Sequence, residues 1–192
     1  MKQFKFIFLA MIIIMSIFPT NAFAENKAIN VTIDGVPVTW TDAAPYVDEN
    51  NRTMVPLSAI ANAMRLDVAW DNVDKTATFT MIYDEQNIVP AGYIKDTDGD
   101  GVADSFMGAS GVVFTLNNNI ATYVLLHYTF GADMAADEPT SMDSYTATMD
   151  TAAVMKDNRT YAPVKYLAEF YGYTAAWDKT TSTVVLTSEV QQ

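Results

Sequence analysis

Apolar residues fall at i, i+3, i+4 and i+7 in two places. The first set is Leu57, Ile60, Ala61 and Met64, and the second is Val164, Leu167, Ala168 and Tyr171. That spacing lays one apolar stripe along a helix, so each stretch predicts a short helix packed on something. Pro56 and Pro163 precede the two stretches, a place where proline suits a first helical turn. Gly172 follows the second set as a helix-ending glycine does. Elsewhere the pattern turns to short apolar and β-branched runs divided by turn residues, which read as strands. "NVTIDGVPVTW" predicts a hairpin with Asp34 and Gly35 in its turn. "GVVFTLNNNIATYVLLHYTF" predicts a longer hairpin turning at residues 117–119.

These predicted elements occur twice. Residues 45–80 align without a gap on residues 152–187, an offset of 107, with eleven of 36 positions identical. Asn51, Arg52 and Thr53 match Asn158, Arg159 and Thr160; Pro56 matches Pro163, and Ala61 matches Ala168. Ala69, Trp70 and Asp71 match Ala176, Trp177 and Asp178. Internal duplication is the strongest organisational signal in the chain. Each half reads as β-hairpin, strand, helix and two strands. The expected fold class is therefore α+β, with antiparallel sheets wrapped around short helices. The expected divisions are repeat 1 at 25–83, an acidic insertion at 84–111, and repeat 2 at 112–192 with a polar insertion at 131–143.

"NRTMVPLSAIANAMRLDVAWDNVDKTATF" and "NRTYAPVKYLAEFYGYTAAWDKTTSTVVL" resemble the copper amine oxidase N-terminal domain family, the stalk domain of exported proteins of Gram-positive bacteria. Its pattern runs GRT-x-VPLR-x-IAEALG-x-V-x-WD. Ser58 and Lys165 stand where that pattern has Arg, and Arg65 where it has Gly. The resemblance implies an antiparallel sheet around a helix and no oxidase chemistry, because copper and the tyrosine-derived quinone belong to a different domain of those oxidases.

The first residues read differently from the rest. Lys2 and Lys5 precede an apolar run from Phe6 to Phe18, and Ala22, Phe23 and Ala24 make an A-x-A site. This is the order of a secretory signal peptide, and the run is shorter than the ~20 residues of a membrane span. Cleavage after Ala24 is expected, leaving a secreted or cell-wall-associated chain that does not insert into a membrane. Removing residues 1–24 takes two basic residues and no acidic ones, so the formal charge moves from −12 to −14. Nucleic-acid binding needs a basic footprint and is not expected. An acidic surface suits divalent cations. The chain has no cysteine, so its core, with or without a metal, must hold the fold.

Few residues suggest catalysis. A copper site of the oxidase kind would need three histidines, and the chain has one, His127, in an apolar strand pattern. It reads as a structural histidine, and the scattered methionines read as core filler rather than copper(I) ligands. A single active centre does not need two copies, so the repeated residues read as architecture. On that reading Arg52 and Arg159 bond turn carbonyls or carboxylates. Trp70 and Trp177 pack on the helices, and Asp71 and Asp178 cap the turns that follow. No nucleophile, acid and base converge, so no enzyme activity is expected.

"KDTDGDGVADS", residues 95–105, is the exception to this plain chemistry. Calcium takes about 6–8 oxygen ligands, which a twelve-residue loop supplies from positions 1, 3, 5, 7 and 9 with Gly at 6. Asp96, Asp98 and Asp100 fall at 1, 3 and 5, Gly101 at 6, the Val102 carbonyl at 7 and Asp104 at 9. Met107 stands at position 12, where a bidentate Glu is expected. The loop is similar to those of dockerins and thrombospondin type 3 repeats. Asp84, Glu85, Asp133 or Asp137, or water, would complete the shell, and the calcium would be structural.

Three functions compete. The chain is a non-catalytic binding domain for a cell-wall or extracellular protein or polysaccharide. Alternatively it assembles with itself into a surface layer or fibre. Third, it binds carbohydrate through Trp40 with Tyr46 or Tyr93. Trp40 has no partner at the offset of 107, where Ala147 stands.

Overall fold

A computed structural model describes residues 28–83, 94–96, 98–134 and 136–189. The expected signal peptide, Asp84, Glu85 and Tyr93 lie outside these residues. In chain order the elements open with β1 (Asn30–Ile33), β2 (Val36–Pro37), β3 (Tyr46–Val47) and β4 (Thr53–Pro56). Helix α1 (Leu57–Ala63) leads to β5 (Asp67–Asp71) and β6 (Thr76–Ile82). The middle of the chain holds β7 (Ile94–Lys95), β8 (Ser105–Thr115), β9 (Ile120–Thr129) and β10 (Ser141–Thr148). Then β11 (Val154–Lys156), β12 (Arg159–Pro163), α2 (Val164–Phe170), β13 (Tyr173–Asp178) and β14 (Thr183–Ser188) complete it. The architecture is α+β, mostly antiparallel sheet with two short helices. No helix among the described residues is long and apolar enough to cross a membrane.

The helices form where the apolar stripes require them. Leu57, Ile60 and Ala61 of α1 and Val164, Leu167 and Ala168 of α2 are all buried. Pro56 and Pro163 cap the N-termini in extended conformation, one position earlier than a first-turn proline. Seven residues are too few for a helix to persist alone. Tertiary burial stabilises it instead, at about 1.5–3 kcal/mol for each large apolar side chain.

The two copies meet at β4 and β12. These strands pair antiparallel with Val55 opposite Ala162, flanked by Met54 opposite Pro163 and Pro56 opposite Tyr161. Val55 and Ala162 are equivalent positions at the offset of 107. An antiparallel pair with equivalent residues opposed is a local two-fold axis. Helix α1 lies against β12 as well as β4 and β5, and α2 lies against β4 and β13. One core cluster therefore contains both helices, together with Val31, Phe79, Val112, Phe114 and Leu186 from the strands.

The hairpins that precede each copy pair across the molecule. β1 joins β14 in parallel, with Asn30 opposite Thr183 and Ile33 opposite Leu186. The sheet order is β13-β14-β1-β2, so the first hairpin extends the second copy. β8 pairs with β6, so the long hairpin extends the first copy in the order β10-β9-β8-β6-β5. β8 and β9 turn through residues 116–119, with Asn117 at φ 58°. The register slips between Met107 and Ala109. Gly108 sits at this bulge because a Cβ there would lie 2.6 Å from the Tyr128 ring.

Candidate metal site

The acidic stretch is the loop of a hairpin. β7 pairs with the start of β8, Ile94 opposite Phe106 and Lys95 opposite Ser105, which closes residues 96–104 at their base. Inside, the carboxylates organise the backbone. Asp96 accepts from the N–H of Gly99 at 2.6 Å and of Gly101 at 2.8 Å. Asp98 accepts from the Asp100 N–H at 3.1 Å, and Asp100 from the Val102 N–H at 2.7 Å. Gly99 and Gly101 take φ of 81° and 88°, the left-handed region that glycine enters without a Cβ penalty.

These turns bring one oxygen each from Asp96, Asp98 and Asp104 within 4.8 Å of one another. The Asp100 carboxylate is outside that group and faces the Val102 amide. Val102 exposes its side chain. Position 12 fails for a physical reason: Met107 lies in β8 with 3% exposure, so strand pairing has replaced the second half of the twelve-residue template. Of the expected outside ligands, Asp137 accepts from the Asp133 N–H at 2.8 Å and caps its own turn.

The other singled-out residues fall into place by local chemistry. His127 is buried on β9, its Nε2 3.3 Å from the Asp143 carboxylate on β10. Arg52 pairs with Asp150, and Arg159 with Asp42. The Arg159 bond is the main reason the Asp42 carboxyl titrates below its ordinary range. Asp71 accepts from the Val73 and Asp74 amides. Asp178 accepts from the Thr180 amide and the Thr181 hydroxyl. Those bonds, from Asp74 first and from Thr181 first, hold both carboxyls below the ordinary value.

The tryptophans depart from expectation. Trp40 is half-buried and packs against the core. Trp70 and Trp177 do not join the core; they keep 41% and 44% of their surface exposed. β5 and β13 are edge strands, with too little sheet beside them to cover a large ring. In sequence, a repeated Trp in an apolar pattern is indistinguishable from a core residue.

The copper amine oxidase N-terminal domain family matches residues 32–97 and 141–192, two segments that make up more than half of the chain. Most of the acidic loop and the β8–β9 hairpin lie between them. No curated protein matches the chain, and no solved structure does. The chain belongs to the copper amine oxidase N-terminal domain family, a non-catalytic accessory domain.

Proposed function

We propose that this chain is a secreted or cell-wall-associated, non-catalytic binding domain of Gram-positive type, built on a duplicated unit and carrying a structural calcium ion in residues 96–104. The observation that carries the calcium reading is the convergence of Asp96, Asp98 and Asp104 oxygens within 4.8 Å. Calcium–oxygen bonds are about 2.3–2.6 Å, so one ion bridges oxygens spread over that distance. Three carboxylates so close repel one another in the absence of a cation. Water and the Val102 carbonyl supply further ligands, and the ion fixes a loop that stands between the two family-matching segments. Loops added to a scaffold are where binding surfaces concentrate.

Thermal melting of the chain without residues 1–24, in EDTA and in millimolar calcium, tests the reading. A site of ~10⁻⁴–10⁻³ M is typical of extracellular modules. Calcium at ten to a hundred times Kd then stabilises by about 1.4–2.7 kcal/mol. At about 2–4 °C per kcal/mol for a chain of this size, the melting temperature rises by about 3–10 °C. Asp98→Ala and Asp104→Ala abolish the rise. A melt indifferent to calcium refutes the site.

The runner-up is a self-assembling subunit of a surface layer or fibre. It is favoured by β10, an open sheet edge with Met142 and Tyr145 exposed, since an unpaired edge templates strand addition. Light scattering that rises only with calcium during the same experiment selects it.

A further inference from the structure

A groove of about 500 Å³ opens beside α1, and residues of both copies line it. Copy one supplies Trp70 on β5 and Asn62 on α1; copy two supplies Met155, Asn158 and Arg159; Asp42 completes it from the segment after β2. The local two-fold produces a second groove of about 160 Å³, lined by Trp177, Lys165, Arg52 and Asp150. Trp177 is the equivalent of Trp70, Arg52 of Arg159, and Lys165 of Ser58. Ser58 lines the large groove and Lys165 the small one. The long side chain stands in the second copy where the first has a hydroxymethyl group.

We propose that the groove holding Trp70, Asp42 and Arg159 is a binding site for an uncharged oligosaccharide, and that its counterpart at Trp177 is a vestige. The inference rests on the reading of the chain as a binding domain and names the site and ligand class. Its size lies within the roughly 300–1,000 Å³ of small-ligand sites, which favour interfaces between structural units. Trp70 is 41% exposed and offers a flat apolar face at the wall of a polar cleft. Around it stand a carboxylate, a guanidinium, two amides and the Ser58 hydroxyl. A pyranose ring matches both properties, with C–H groups for the indole face and a rim of hydroxyls that each donate and accept.

Charge selects among glycans. The groove's cation and anion, Arg159 and Asp42, are paired, so the lining presents no net charge to a ligand. The chain as a whole carries −12, which repels polyanions such as teichoic acids or uronic-acid polymers. The pair is open to solvent, with side-chain exposures of 37% and 55%. Exposed ion pairs contribute little to folding, so stability is a poor reason for its position. As hydrogen-bonding groups held in fixed orientation, the two side chains are suited to reading sugar hydroxyls.

Tryptophan fluorescence and calorimetric titration with cellotetraose and chitotetraose, at millimolar concentration with calcium present, test the site. Saturable binding of either sugar is expected. Trp70→Ala weakens it about tenfold or more, as loss of an aromatic anchor does. Trp177→Ala leaves it unchanged. The two tryptophans are similarly exposed on equivalent edge strands, so a general folding defect would strike both variants alike. Equal loss in both, or loss in Trp177→Ala alone, overturns the groove assignment. Absence of binding by either sugar overturns the ligand class. If isolated cell walls still bind wild type and Trp70→Ala equally, the binding-domain reading survives and this site does not. If they bind neither, both fall.

Discussion

The two helices end on the same left-handed backbone with different residues at equivalent positions, and the difference can be measured. Helix α1 closes with the Leu66 N–H bonded to the Ala61 carbonyl at 2.8 Å and the Arg65 N–H to the Asn62 carbonyl at 3.2 Å. This is the Schellman arrangement, which needs a left-handed residue just past the cap. Arg65 fills that place at φ 58°, and Gly172 fills the same place after α2 at φ 75°. The left-handed conformation costs a residue with a Cβ roughly 1–2 kcal/mol. Glycine avoids that cost but loses about 0.5–1 kcal/mol more in backbone freedom on folding. Arg65 is exposed, so its side chain offsets little. Arg65→Gly therefore stabilises by about 0.5–1 kcal/mol. Nothing lies within 4 Å of a Cβ built on Gly172, so Gly172→Ala costs a similar amount with no packing contribution. At about 2–4 °C per kcal/mol, thermal melts should place the variants on opposite sides of wild type by about 1–4 °C. An Arg65→Gly variant that melts below wild type would refute the argument and show that the arginine side chain is energetically engaged.

Two further variants probe the core and the turns. Tyr171→Phe removes hydroxyl bonds to the Phe79 carbonyl at 2.7 Å and the Ser110 carbonyl at 3.3 Å. It lowers stability in urea by about 1–2 kcal/mol, and an unchanged urea midpoint would show that the bond contributes nothing. Asp71 and Asp178 titrate below their reference value of 3.8, so their capping contribution is present above that pH and lost as pH falls through the lowered folded values. The melting difference between wild type and Asp71→Asn/Asp178→Asn should hold constant above about pH 5 and shrink below about pH 4. A difference that shrinks between neutral pH and about pH 5 would assign the turns to other forces.

What the sequence made legible was local. The stripes of α1 and α2, the glycine at 172, the turn after Leu116 and the turn-capping aspartates each depend on neighbours within a few residues. The long-range partners were not legible. Nothing in "NVTIDGVPV" indicates that β1 would lie parallel to β14, because a hairpin's own pattern is satisfied by any apolar neighbour. The exposure of Trp70 and Trp177 depends on which strands end a sheet, and that is a property of topology. The groove at Trp70 takes side chains from residues more than a hundred positions apart, such as Asp42 and Arg159. In the acidic loop, spacing indicated which residues could converge. It did not distinguish Asp100, whose carboxylate is held by the Val102 amide.

The parallel pairing of β1 with β14 has a kinetic consequence. The first strand of the fold has no partner on one side until the last strand exists, and the Ser188 amide then bonds the Asp34 side chain at 2.7 Å. Contacts of such separation raise contact order and slow folding. A growing chain cannot complete either half as it emerges. β4 waits for β12, and β1 waits for β14. Until β12 has emerged the apolar face of α1 is only partly covered, and until β14 has emerged β1 lacks its parallel neighbour. The duplicated sequence thus folds as one cooperative unit, committed only once β14 is in place, and a chain stopped short of β14 would leave both the core and the β1 edge uncovered.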